Sequence, residues 1–202
     1  VTAIDLVGTV LAASIVAYSF ARFRFPGRDL LFLLCLSTLM LPTEVTLIPQ
    51  YLLFKDLHWI DTYYPLIVPV WLGGGAFNIF LMRQFIQQTI PDELMYAARM
   101  DGASEFAIFR HIVLPLVRPG LAALAVWLFL ASYNNFLWPL MVLTDAFHET
   151  LPVGLASLVS SRNVQYGIIM AAAVAAAVPA LVVFGGLQRD FVRGLTRGAL
   201  SE

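Results

Sequence analysis

Long apolar runs alternate with short polar stretches along this chain. Five runs stand out, at roughly 1–21, 30–54, 64–82, 120–143 and 167–187. Each is close to the roughly 20 residues that a helix needs to cross a bilayer. Buried helices of a large soluble fold are also apolar, but five such runs in 202 residues leave too little chain to cover them. The pattern predicts an all-α fold, a polytopic membrane helix bundle of about five spans. Between the third and fourth runs the pattern breaks. Residues 83–119 bring together charges, paired alanines and a glycine.

Composition agrees with the pattern. Charged residues are 12% of the chain, about half the share of a soluble domain, so there is too little polar surface for a water-soluble fold. The formal net charge of −1 and the lack of a basic stripe argue against nucleic acid as a partner. A single cysteine, Cys35, lies inside an apolar run; it allows no internal disulfide and reads as packing. The chain opens on Val1, with no basic stretch and no small-residue cleavage site, so its start reads as a cut through a longer protein.

The cations give an orientation. Arg22, Arg24, Arg28, Arg83, Arg99, Arg110, Arg118, Arg189, Arg193 and Arg197 fall on one side of the five runs. Only Lys55 and Arg162 fall on the other. The positive-inside rule then places 83–119 and the C-terminus in the cytoplasm, with 55–63 and 144–166 facing outward. Trp59, Tyr63 and Tyr64 sit where an interfacial aromatic belt is expected.

The charged segment itself reads as two short helices and a turn. Pro91, Asp92 and Glu93 suit a helix start, where the macrodipole favours anions. Leu94, Ala97 and Ala98 fall at i, i+3 and i+4 and are expected to share a face. Gly102 suits a helix stop, and Ser104 a cap for a second helix striped by Phe106, Phe109, Ile112 and Val113. Pro115 is expected to end that helix. Small residues on the first helix let another backbone come close.

"IPDELMYAARMDGASEFAIFRHIVLPLVRPGLAAL" closely resembles the cytoplasmic EAA loop of binding-protein-dependent ABC importer permeases, in their carbohydrate-uptake branch, like the maltose and glycerol-3-phosphate permeases. The family pattern of Glu-Ala-Ala, Gly and Ile-x-Leu-Pro is met by Tyr96-Ala97-Ala98, Gly102 and Ile112-Val113-Leu114-Pro115. "ARFRFPGR", "LMLPTEVTLIP", "FLMRQF", "NNFLWPL", "TLPVGL" and "QRDFVRGLTRGA" resemble further family blocks in the family's order, so the likeness spans essentially residues 1–202. The chain is therefore expected to be a single transmembrane permease domain. The family usually has six spans, which implies a missing first span before Val1.

The resemblance implies that 83–119 is a coupling loop docking into a cytosolic ATPase. Its expected coupling residues are Glu93, Tyr96, Ala97, Ala98, Asp101, Gly102, Ala103, Phe109, Leu114 and Pro115. Tyr96 replaces the motif's glutamate, and Glu93 lies one turn earlier. The implied partners are a second permease subunit, an ABC ATPase dimer, an extracytoplasmic solute-binding protein and membrane lipid. The only lysine, Lys55, has no glycine near it, so this chain has no phosphate-binding P-loop. It is expected to bind no cofactor and to be no enzyme, with ATP and Mg held by the partner ATPase. His58, His111 and His148 are scattered and form no zinc or hydrolase pattern.

Polar residues inside spans mark candidate path positions. These are Glu44, between Pro42 and Pro49, and Asn134, Asn135 and Trp138 in the fourth run. The alternative for them is bridging helices or satisfying a broken backbone, and for Asn78, after three glycines, that bland role is favoured. The fifth run is rich in alanine, which suits close helix packing. The rival function is an ion-gradient-driven secondary transporter of a small polar solute, though no inverted repeat is visible. An intramembrane enzyme lacks a catalytic constellation.

Overall fold

The structure, a computed structural model, describes residues 1–145, 147–160 and 165–199, with backbone alone at 160 and 187–199. Arg162 and the side chains of Arg189, Arg193 and Arg197 lie outside the described residues. Every regular element among the described residues is helical. In chain order they are α1 (Thr2–Arg22), α2 (Arg28–Ser37), α3 (Thr43–Asp56), α4 (Tyr64–Gly73), α5 (Ala76–Thr89), α6 (Asp92–Met100), α7 (Glu105–Ile108), α8 (Leu114–Leu116), α9 (Arg118–Tyr133), α10 (Leu137–Val142), α11 (Leu151–Ser160) and α12 (Tyr166–Ala199).

Three stretches are long and apolar enough to cross a membrane: Thr2–Arg22, Tyr64–Thr89 and Tyr166–Gly186. They match the first, third and fifth expected spans, with the third running on to Thr89. Two more become spans only as bent pairs, Arg28–Met40 with Thr43–Asp56 at 100°, and Glu105–Leu116 with Arg118–Tyr133 at 75°.

The bends correct the straight runs expected from hydropathy. At 30–54 the chain turns at Leu41–Pro42, where Leu41 is extended at φ −79°, ψ 119°. A residue before proline is pushed out of the helical region, so Pro42 both stops the preceding turn and starts α3. The expected span 120–143 starts at Arg118 and stops at Tyr133; Asn134 to Phe136 interrupt it before the short α10. Asn134 Nδ2 donates to Leu130 O at 2.8 Å, a carbonyl that also accepts the Asn134 N–H at 3.1 Å, and so reinforces the helix end. At the break between α4 and α5, Asn78 Nδ2 donates to Gly74 O at 2.7 Å, a carbonyl just past the end of α4. Gly74 and Gly75 take φ +66° and +78° there.

α1 is the centre of the arrangement. It packs on α4, α5 and α9, and α12 lies along α9. Close approach is enabled by small residues: a Cβ on Gly74 would lie 2.5 Å from the backbone nitrogen of Ala13, which is fully buried. The buried core is continuous from α1 through α5 into the segment after it, joining Ala13, Ala17, Tyr18, Met82, Ile86, Ile90, Met95, Ile108 and Val113.

Candidate functional site

The segment after α5 forms an elbow. Pro91 is extended and precedes α6, with Asp92 and Glu93 in the first turn. Gly102 has φ +78°, and the Ala103 N–H donates to Ala98 O at 3.0 Å, closing the turn. The Ser104 hydroxyl accepts from the Ala107 N–H at 3.3 Å and caps α7. From α7 the helix widens into a π turn over Phe109–Val113 and continues through α8. Pro115 has no N–H and crowds the carbonyl four residues back, which accounts for the widening. The helix does not end at Pro115, as expected, but at Val117, where the 75° bend leads into α9 with Pro119 in its first turn.

The faces of α6 differ from expectation. Met95 and Ala98 are buried, whereas Leu94 and Ala97 are exposed, so Leu94, Ala97 and Ala98 do not form one face. Among the expected coupling residues, Ala98 is buried, while Ala103 and Phe109 pack against the core. Glu93, Tyr96, Ala97, Asp101, Gly102 and Pro115 are exposed, and Leu114 is intermediate. Beside them lie two apolar side chains that sequence reasoning did not assign to a docking surface, Met100 at 88% exposure and Phe106 at 70%. The elbow thus presents a partly apolar tip on a tightly packed base.

Polar contacts fix the base. Tyr18 donates its hydroxyl to Glu105 Oε2 at 2.7 Å, and Arg99 Nε donates to Glu105 Oε1 at 2.7 Å. The Arg99 guanidinium, and then the Tyr18 hydroxyl, hold the Glu105 carboxyl below its usual range, against the opposing effect of partial burial. Arg22 donates to Ile86 O at 3.1 Å, to Ile90 O and to the Asp92 carboxylate. Sequence reasoning missed Tyr18, Arg22 and Glu105 as a group. The signal that was there is a buried-span tyrosine and a span-end arginine, which have no obvious partner until the chain is folded.

At the opposite end of the bundle is a cavity of about 400 Å³, lined by Asp5, Gln50, Ser132, Tyr133, Asn135 and Trp138 among others. Two of the four expected path residues, Asn135 and Trp138, are on its wall. Asn134 is turned to its own helix, and Glu44 is exposed in the first turn of α3, away from the cavity. Trp138 Nε1 donates to Pro65 O at 3.3 Å, and Tyr133 donates its hydroxyl to Ala176 O at 2.7 Å. Phe54 and Trp59 stack at 5.5 Å, and Trp59 meets Tyr64 at 5.7 Å. Asp61 holds the neighbouring loops together, accepting from the Thr144 N–H at 2.5 Å, the Thr144 hydroxyl at 2.7 Å and the Asp145 N–H at 3.0 Å. These bonds, the Thr144 hydroxyl first, hold the Asp61 carboxyl below its ordinary range. Asp5, Gln50 and Asp61 were also missed; Asp5 was visible as an acid within the first run.

Comparison with known proteins agrees with this geometry. The arabinooligosaccharides transport system permease protein AraQ of Halalkalibacterium halodurans is 40% identical over 200 residues, covering 99% of this chain and 71% of that protein. AraQ of Bacillus subtilis is 38% identical over 192 residues, covering 95% of this chain and 67% of that protein. The sn-glycerol-3-phosphate transport system permease protein UgpE of Yersinia enterocolitica is 41% identical over 191 residues, covering 94% and 67%. A chain of the crystal structure of a bacterial ABC transporter involved in the import of the acidic polysaccharide alginate superposes with a TM-score of 0.79 at 24% identity, covering 94% of this chain and 71% of that one, and so shares the fold. These relatives are transport-system permeases; they support a transport role over an enzyme and do not favour the ion-gradient rival. Residues 9–197 match the family described as binding-protein-dependent transport system inner membrane component. The chain is a membrane permease and belongs to that family.

Proposed function

We propose that the chain is the membrane subunit of an ATP-driven importer for a sugar or sugar-like solute, working as a single transmembrane domain. Its partners are a second permease, a cytosolic ATPase pair holding ATP and Mg, and an extracytoplasmic solute-binding protein. The elbow faces the cytoplasm, in keeping with the positive-inside distribution of arginines. One observation carries this reading: Tyr96, Met100 and Phe106 project from an elbow whose Met95, Ala98 and Ile108 are locked into the core. A monomeric elbow gains nothing from exposed apolar side chains at its tip, whereas a docking element does.

Glu93, Tyr96, Ala97, Asp101 and Gly102 then meet the ATPase, while Ala98, Ala103, Phe109, Leu114 and Pro115 set the elbow's shape. Tyr96 offers an aromatic ring where the family motif offers a carboxylate. ATP binding closes the ATPase pair and moves the elbow; the spans open to a loaded binding protein; hydrolysis resets them. Asn135 and Trp138, on the cavity wall, belong to the solute path, where an amide and an indole suit sugar hydroxyls and rings.

Gly102→Asp tests the docking role. A Cβ at Gly102 meets no atom within 4 Å, so the change leaves internal packing intact and puts a charge on the tip. Insertion into the membrane is expected to persist and ATP-driven uptake to vanish. Normal uptake by a correctly inserted variant would overturn the assignment.

A further inference from the structure

The cavity and the elbow sit at opposite ends of the bundle, and something must carry movement between them. Two routes follow the chain. The route through α5 and α4 passes the break at Gly74 and Gly75, both at positive φ. The route through α8 and α9 passes the 75° bend at Val117. α1 differs from both. It is one unbroken helix of 21 residues, Thr2–Arg22, without an internal proline, about 30 Å long at the α-helical rise. Its first turns line the cavity through Val1, Thr2 and Asp5. Its last turns hold the elbow.

No short chain connection joins α1 to the elbow; Tyr18 and Glu105 are 87 residues apart. The grip is made by side chains. Glu105 receives Tyr18 on one oxygen and Arg99 on the other, so one carboxylate ties α1, α6 and α7 together. The Tyr18 ring is buried and packs against Phe109 at 5.2 Å and Phe23 at 5.4 Å. Arg22, with its side chain 8% exposed, binds two carbonyls at the end of α5 and the Asp92 carboxylate at the start of α6. The Ile86 carbonyl also accepts the Ile90 N–H at 3.2 Å, so Arg22 reinforces the last turn of α5 as it binds it. Both legs of the elbow and the helix that leads into it are thereby fastened to α1.

We propose that Tyr18 and Arg22 are positioning residues of the transport cycle. Through Glu105 and Asp92 they make the elbow and α1 one rigid body, so that displacement of the elbow is delivered along α1 to the cavity wall. The proposal rests on the reading of the elbow as the ATPase-docking element. Tyr18→Phe isolates the latch, because it keeps the ring and its packing and removes only the hydroxyl; Glu105 keeps its bond to Arg99.

The complete transporter, with its ATPase pair, second permease and binding protein, is placed in proteoliposomes, and solute moved per ATP hydrolysed is measured. The variants are Tyr18→Phe, Glu105→Ala and the pair together. Assembly is followed by co-purification. Tyr18→Phe is expected to assemble and hydrolyse ATP, but to move about tenfold less solute per ATP, the scale of one hydrogen bond to a charged group. The double variant is expected to be no worse than Glu105→Ala alone, because without the carboxylate the Tyr18 hydroxyl has no latch left to lose. A wild-type ratio in Tyr18→Phe, additive single effects, or failure of both single variants to assemble would overturn the proposal. Absence of ATP-driven uptake in the unmodified transporter would instead strike the importer reading itself.

Discussion

At the elbow end of the bundle, Met82, Ile86, Ile90, Met95, Ile108, Val113 and Val117 are all essentially inaccessible and touch one another across α5 to α9. At the other end, Phe54, Pro65 and Pro139 are buried, but between them lies the 400 Å³ cavity, walled by residues of α1, α3, α4, α9 and α10. The elbow end is joined by apolar packing and two ionic clamps. The cavity end is joined by separate polar and ring contacts: indole donors from Trp138 to Pro65 O and from Trp71 to Ile4 O, one tyrosine hydroxyl, the Phe54–Trp59 stack, and the Asp61 carboxylate gathering three donors from another loop. A machine that must move a solute is expected to divide its chain this way. One end transmits displacement without yielding, and the other has space to change shape.

The sharpest way to break this comparison is at Gly74, where α1 meets the α4–α5 break. The residue is at φ +66°, and a Cβ would lie 2.5 Å from Ala13 N and 2.8 Å from its Cα. Backbone cannot move aside as a side-chain tip can. Gly74→Ala is expected to separate α1 from α4, costing roughly 3 kcal/mol or more from overpacking together with the left-handed conformation. The check is recovery of monodisperse protein after detergent extraction. Normal recovery would mean that the two ends are not organised by a tight α1 contact.

Next comes the elbow core. Ile108→Ala and Met95→Ala each empty a fully buried site and are expected to cost about 2–5 kcal/mol. Leu53→Ala, on the half-exposed cavity wall, is expected to cost less than about 1 kcal/mol, because that side chain already faces open space. Thermal unfolding of the three variants in one detergent measures the contrast. Equal losses would erase the distinction between a rigid and an adaptable end.

How much of this was legible in the sequence follows the same division. The elbow's ends were readable, because capping and turn chemistry is local: Pro91, Gly102 and Ser104 each act within a few residues. The spans were readable from hydropathy, but their bends were not. An apolar average over 30–54 is unaffected by Pro42 forcing Leu41 out of the helix, or over 120–143 by three unwound residues at Asn134 to Phe136. The inward face of α6 was ambiguous in nine residues, since both Leu94–Ala97–Ala98 and Met95–Ala98 fit helical spacing; the approach of Ile108 and Tyr18 settles it for Met95. The latch was beyond reach, because nothing local links Tyr18 to Glu105. Likewise Glu44 drew notice as an acid in an apolar run, yet the bend carries it away from the cavity that Asn135 and Trp138 line.

A smaller effect separates the two left-handed glycines. Gly102 has φ +78°, like Gly74 a conformation that L-residues avoid, but open space surrounds its missing Cβ. Gly102→Ala is therefore expected to cost only about 1 kcal/mol, the conformational penalty alone. Measured beside Gly74→Ala by the same unfolding assay, it divides strain from collision. A loss at Gly102 as large as that at Gly74 would show that the elbow tip is packed in a way its exposure denies.

The smallest effect is a pH dependence at the cavity end. Asp61 has its carboxyl held below the ordinary range by the Thr144 hydroxyl and by the backbone N–H groups of Thr144 and Asp145. A depressed carboxyl contributes to the loop contact above the unfolded-state value, and the contribution is lost as pH falls through the lower folded-state value. The Thr144 and Asp145 amides should therefore stay protected at neutral and mildly acidic pH and lose protection only below the usual carboxylate range. Exchange is compared at each pH with an unstructured peptide of the same stretch, so that a falling ratio, and not the intrinsic pH dependence of amide exchange, reports the opened contact. Hydrogen exchange followed by mass spectrometry on the 143–145 stretch reads it. Asp61→Ala, which removes both acceptor oxygens, should exchange rapidly at all pH values. If the amides keep their protection in that variant, the loops are pinned by packing, as the elbow is, and the cavity end is stiffer than its separate contacts imply.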